Sequence, residues 1–262
     1  MNMSVISKIK GSAFCLHLRF IKTGGVRYCY SVLFNFRHFP WSVAKRLPFV
    51  FYKDAYAKIR NKGRIVLTDS FIKGAKHVIV GKSRKDFDYQ CEKTYIDIEG
   101  TLTTNGDVLI KRGVRIQVLG TMYISDKVVI NSRVRIRSYN SVTIGYNSRI
   151  SHESQIFDTS FHPMEYVSNH QHNPISAPIM IGDNCWIGNR TTISKGTILS
   201  DYTTVASNSL VTKDYSDLPP YSLIGGIPAK LLKSDYSRVW DPKRDDEYMR
   251  NEFEWYCIRH ER

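Results

Sequence analysis

The residues with the greatest chemical capacity in this chain crowd one short stretch. Residues 157–178 contain Asp158, His162, Pro163, His170, His172, Asn173, Pro174 and Pro178. A neutral imidazole suits removal of a proton from a hydroxyl, because the unperturbed side chain titrates close to working pH. Asp158, four residues before His162, is placed to orient that ring, to bind substrate hydroxyls or to cap a turn. His170 and His172 read as lid or acceptor contacts rather than catalysts, or as plain exposed loop. A different chemistry would need about three histidines converging on one zinc ion, for which His152, His162, His170 and His172 are the candidates. The cysteines offer less: Cys15, Cys29, Cys91, Cys185 and Cys257 are scattered, odd in number and lack a CxxC pair. That usage excludes a disulfide framework or zinc knuckle and makes a reducing compartment, the cytosol, the default. No GxGxxG or other glycine-rich phosphate loop occurs.

The frame around this stretch is set by a six-residue step. Ile181, Ile187, Ile193, Leu199, Val205 and Val211 follow at that interval, each trailed by a small or polar residue. Six matches neither the helical repeat nor strand alternation. It suits a coil that turns one flat side every six residues, with each aliphatic side chain stacked on its counterpart in the next coil. Three sides make a triangular prism with about 18 residues per coil. Before the stretch the step recurs from Ile110 to Ile116, through Val118, Ile124, Ile130 and Ile136, and, after a shift of two, at Ile144, Ile150 and Ile156. Earlier aliphatic pulses at 65–67 and 78–80 read as lower coils. An excursion of about twenty residues from a regular solenoid is uncommon unless it serves a site.

Charge is the other uneven property. The first 60 residues hold eleven Lys and Arg against the single acid Asp54, leaving only +4 of the net +14 for the rest of the chain. Aromatics, among them Tyr30, Phe34, Phe36, Trp41, Phe49 and Phe51, share that segment. Basic residues among aromatics suit an anionic membrane surface, nucleic acid, or a cap over the open end of a β-helix. Two helical pieces are expected within 26–60, interrupted near Phe39-Pro40-Trp41 and Leu47-Pro48. No apolar run reaches the length of a membrane span, and 13–20 is too short and too broken by His17 and Arg19 for a secretory segment. The expected organisation is a flank over 1–60, coils over 61–232, and a tail over 233–262 carrying one amphipathic helix from Asp241-Pro242 onward.

The run Ile181-Gly182-Asp183-Asn184-Cys185-Trp186-Ile187-Gly188, with Lys195-Gly196, Val211-Thr212-Lys213-Asp214 and Gly226-Ile227-Pro228-Ala229-Lys230, resembles the hexapeptide-repeat acyltransferases. Within them it is most similar to the sugar O-acetyltransferases of bacterial capsule, lipopolysaccharide and exopolysaccharide assembly. Asp158-Thr159-Ser160-Phe161-His162-Pro163 looks like that branch's active-site motif. The likeness is strong over 142–232 and limited to periodicity over 64–141. It implies a mainly β fold, a left-handed parallel β-helix, and a homotrimer that binds acetyl-CoA between subunits. It further implies His162 as general base, with Asp158 and Trp186 toward the acceptor. Trp186, Asn189, Ser207 and Thr212 would line the pantetheine arm, and Lys213 and Lys230 the CoA phosphates. Ala206-Ser207-Asn208-Ser209 stands where the family usually carries a glycine-rich run, and by that resemblance the Ser207 and Asn208 side chains would narrow the space beside the pantetheine.

The expected activity is therefore transfer of an acetyl group from acetyl-CoA to a hydroxyl of a sugar or lipid-linked saccharide. It would proceed directly in a ternary complex, without a metal and without nucleic acid, in the cytoplasm or peripherally at the inner membrane face through residues 1–60. Other uses of a β-helix are a zinc enzyme of the carbonic anhydrase type and a non-catalytic scaffold.

Overall fold

The structure, a computed structural model, describes residues 25–82 and 92–253. The chain winds through three sheets of nine, seven and six strands, visited in turn by successive coils and parallel except for the last strand of the first sheet. Coil 1 comprises strands Phe49–Phe51, Ala55–Ile59 and Arg64–Leu67. Coil 4 comprises Val128–Ile130, Arg135–Ser138 and Ser141–Ile144, and coil 5 Arg149–Ile150, Gln155–Phe157 and Ile179–Ile181. Coil 6 follows as Trp186–Ile187, Thr192–Ser194 and Ile198–Leu199, and coil 7 ends the second sheet at Leu210–Val211. An antiparallel strand, Ala229–Lys233, closes the upper edge of the first sheet on Leu223–Gly226.

Every aliphatic residue of the six-residue step is buried, as are Ile110, Ile116, Ile124, Ile130, Ile136, Ile144, Ile150 and Ile156 in the coils below. Full burial of such side chains contributes about 1.5–3 kcal/mol each, so the stack is the main source of stability. The second inward position of many corners holds a small hydroxyl that satisfies a buried carbonyl: Ser148 Oγ donates to Gly182 O, Ser154 Oγ to Gly188 O, and Thr203 Oγ1 to Ser200 O. These groups keep the tight corners free of orphaned polar atoms.

Coil length differs from the expected 18. Ile187 pairs with Val205 and Ile193 with Val211, a step of 18, but Ile130 pairs with Ile110 and Ile150, a step of 20. The two extra residues sit between the second and third sheets, at Leu119-Gly120 and Tyr139-Asn140. Gly120 is required there because a Cβ would run into the Asn140 carbonyl of the coil above. The residue 158–178 excursion leaves coil 5 at this same wider corner.

The flank ends earlier than residue 60, since coil 1 begins at Phe49. Helices Tyr28–His38 and Trp41–Ala44 precede it, broken at Phe39-Pro40 as the proline requires. The first of them covers the open bottom of the prism. Phe34 packs on Phe49 and Phe51 with ring centroids 5.5 and 4.9 Å apart, and buried Asn35 bonds the Phe49 amide and carbonyl. Most flank aromatics thus serve as a cap, while Leu33 and Trp41 stay outward, at 65% and 71% exposure. The C-terminal helix Pro242–Glu252 starts on an Asp241 cap and buries none of its residues. Among the described residues no helix is long and apolar enough to cross a membrane. Residues 1–24, which hold part of the basic flank and Cys15, and Cys91 and Cys257 lie outside the described residues.

Candidate active site

The excursion is a twisted hairpin rather than an open loop. Thr159 bridges Ser176 and Glu165 bridges His172, both antiparallel. The Ser160 amide donates to Ile175 O at 2.9 Å and the Tyr166 amide to Gln171 O at 2.7 Å. Lys195, at the equivalent corner one coil above, clamps its base: the ammonium donates to Ser160 Oγ at 3.2 Å and to the carbonyls of Pro174 and Ile175.

His162 stands just beyond this clamp. Ser160 Oγ donates to the His162 carbonyl at 3.0 Å, fixing the backbone. Phe161 before it takes a positive φ of 63°, a strained region for a bulky residue. Its ring holds it there, edge-on to Tyr139 at 5.5 Å and Phe157 at 5.8 Å, with the Arg137 guanidinium 5.0 Å from its centroid. The imidazole is exposed, and among the described residues it has no hydrogen-bond or ion-pair partner. A histidine so presented can accept a proton from a bound hydroxyl.

Asp158 does not hold that ring and does not face an acceptor. It is fully buried, and its two carboxylate oxygens accept the Tyr139 and Asn140 amides at 2.8 and 2.7 Å. This repeats a device used at the next corner of the prism, where Asp183 accepts the Tyr146 amide and Asp201 the Asp183 amide. In each case a carboxylate ties the coil below, so of the roles open to Asp158 capping is the one observed. His170 rests 3.3 Å from Glu165, and His172 3.4 Å from Asn173 O. Among the described residues no three His, Cys, Asp or Glu side chains are grouped to hold a metal.

The remaining expected residues divide between two sides of the prism. Trp186 projects from the first sheet, 38% exposed, its indole N–H donating to Ser151 Oγ at 3.1 Å. Asn189 and Ser207 stack at the corner between the first and second sheets, 2.6 Å apart between side-chain oxygens. Lys230 lies on the edge strand of the first sheet. Thr212 directly follows Leu210–Val211, the last strand of the second sheet, and Lys213 comes next at the corner that carries the His162 hairpin, 5.4 Å from the Tyr215 ring. His162 and Lys213 therefore share one corner, while Trp186 occupies the face opposite it. One chain does not bring them together.

Cys185 is buried, with Sγ 3.3 Å from Ser200 O, and burial pushes its thiol up to about 12. It packs, and is no nucleophile. Sequence reasoning missed the Lys195 clamp and the Arg137–Phe157–Phe161 cluster. The only available signal was Arg135-Ile136-Arg137, a strand alternation that places both arginines outward.

No family model matches the chain. Among curated proteins it is 28% identical over 164 residues to WbbJ of Escherichia coli K12, named for O-acetyl transfer in lipopolysaccharide biosynthesis, covering 56% of this chain and 80% of that one. It is 32% identical over 93 residues to the galactoside O-acetyltransferase of the same strain, covering 36% of this chain and 44% of that one. Over 166 residues it is 32% identical to an uncharacterized 24.8 kDa protein of the Klebsiella pneumoniae cps region, covering 62% and 71%. With its three-sided coils, its six-residue aliphatic stack and these relatives, the chain belongs to the hexapeptide-repeat acyltransferases, the left-handed β-helix family.

Proposed function

We propose that this protein transfers an acetyl group from acetyl-CoA to a sugar hydroxyl during assembly of a bacterial surface polysaccharide. The observation that carries the reading is the presentation of His162, an exposed imidazole without a partner among the described residues, on a hairpin clamped by Lys195 and anchored by Phe161. In a ternary complex the imidazole takes the proton as the acceptor oxygen attacks the thioester carbon. The tetrahedral intermediate collapses by breaking the C–S bond. The imidazolium returns the proton to sulfur, releasing CoA as a thiol, and backbone N–H donors stabilise the oxyanion.

The division of the residues between two sides of the prism favours a site completed by a second copy, and closed three-fold symmetry satisfies this with identical contacts. His162 and Lys213 of one copy then face Trp186, Asn189 and Ser207 of its neighbour. Acetyl-CoA lies between them, its phosphates near Lys213 and Lys230 as point-charge partners.

Thiol release from acetyl-CoA against a panel of saccharide acceptors tests the reaction, and subunit mixing tests the shared site. His162→Ala and Trp186→Ala are each expected to be nearly inactive. Unfolded together and reassembled in equal amounts, they regain about a quarter of native activity if each site draws on two copies. No recovery from correctly assembled mixed trimers would mean that each copy carries its own complete site.

A further inference from the structure

Below the His162 hairpin, the outward face of the second sheet forms a groove of ≈ 450 Å³, within the size range of small-ligand sites. Its walls are unusually basic. Arg115 of coil 3 lies in direct register with Arg135 of coil 4, and Arg137 stands two residues further along the same face. All three are exposed. Adjacent strands are about 4.8 Å apart, so the first two guanidiniums project side by side. Among the described residues neither the Arg115 nor the Arg135 guanidinium has a hydrogen bond, ion pair or ring contact; their backbone amides bond to Val134 O and Ser154 O. Like charges directly opposite each other on one sheet face oppose folding unless something neutralises them. The acid that also lines the groove, Asp97, is already bound by Arg60. By contrast, at the neighbouring corner Arg133 and Arg190 share Glu153, and Arg133 also meets Glu92. Among the described residues, acids thus pair with the arginines beside the groove, Glu92 included, and not with the two guanidiniums inside it.

The groove has a direction. At its upper end Arg137 rests against Phe157 and Phe161, and Phe161 adjoins His162. Aromatic faces suit the C–H surface of a sugar ring, while paired guanidiniums suit two closely spaced phosphoryl groups through forked hydrogen bonds. The groove is open to solvent, and its limited volume matches a compact ligand.

Resting on the acetyl-transfer reading above, we infer that the acceptor is a sugar diphosphate. Arg115 and Arg135 grip the diphosphate, and the sugar lies against Phe157 and Phe161 with a hydroxyl toward His162. The diphosphate is carried by either a nucleoside or a membrane lipid.

The test uses the full-length protein saturated with CoA, so that the donor's own phosphate site is filled. Calorimetric titration with inorganic pyrophosphate and with UDP-glucose, and flotation with phosphatidylcholine vesicles carrying a polyprenyl-diphosphate saccharide, compare native protein with Arg115→Gln/Arg135→Gln. Both side chains are exposed, and circular dichroism verifies the fold. The double variant should bind pyrophosphate at least about tenfold more weakly, while its acetyl-CoA affinity stays unchanged. UDP-glucose or vesicle binding lost in parallel identifies the carrier. Unchanged pyrophosphate affinity in the double variant overturns the inference. So does loss of binding to a carboxylated polysaccharide with pyrophosphate unaffected, which assigns the arginines to a polymer. Failure of the acetyl-transfer reading looks different: pyrophosphate binds and depends on the arginines, yet no acceptor elicits thiol release from acetyl-CoA.

Discussion

Replacing Asp158 separates a carboxylate that builds the corner from one that serves the chemistry. Its two oxygens hold the amides of Tyr139 and Asn140 at 2.8 and 2.7 Å from a fully buried position. Hydrogen bonds to a charged partner contribute about 1.5–3 kcal/mol each. Tyr139 and Asn140 are themselves exposed, so water replaces part of what is lost and the low end applies. Asp158→Ala should then cost about 3 kcal/mol, or roughly 6–12 °C in Tm for a domain of this size. Asp158→Asn keeps one acceptor and should lose about half as much. Differential scanning calorimetry reads the first quantity. Steady-state acetyl transfer, measured well below the transition, reads the second and should give kcat within about threefold of native with an unchanged pH profile. An unaltered Tm together with a hundredfold lower kcat and a displaced pH profile would refute the capping role and return Asp158 to the imidazole.

Other substitutions follow from the same geometry. Lys195→Met removes the clamp on the hairpin, so amide exchange within 158–178 should accelerate and kcat fall about tenfold, with little change in Tm. Glu153 is held below the usual carboxylate range, first by its hydrogen bond to Arg190 and then by the charges of Arg190 and Arg133. A depressed folded-state value means stability that is present above the unfolded-state value and lost as pH falls through the folded one. Denaturation curves of native protein and Glu153→Gln should therefore differ at pH 7 and converge only below about pH 4. Cys185→Ala should leave turnover intact, and the native thiol should resist alkylation at pH 8 until the protein unfolds.

The parts of the fold that were legible in the sequence are those set by a repeated physical demand. Each side of the prism needs one buried aliphatic residue, so Ile181 through Val211 announced the upper coils and every one of them is buried. The break after Ile156 was equally legible, because a solenoid cannot hide twenty residues that do not stack. The twenty-residue lower coils were harder to read. Their extra pair, such as Leu119-Gly120, breaks the six-residue step yet belongs to a regular corner held by backbone hydrogen bonds. Asp158 was ambiguous because a carboxylate four residues from a histidine has the same spacing whether it turns toward the ring or under the corner. Burial decided it. The placement of Trp186 was hidden for another reason: linear distance from His162 says nothing about which face of a prism a residue occupies. The start of coil 1 at Phe49 was masked by the basic, aromatic character of its surroundings, whose rings turn inward to close the prism.

The most direct measurement is thiol release by His162→Ala with saturating acetyl-CoA and acceptor, alongside its acetyl-CoA affinity and assembly state. General-base catalysis by this side chain predicts a fall in kcat of about 10²–10⁴ with affinity and assembly unchanged. Turnover that remains within about twofold of native would contradict it and place the base elsewhere.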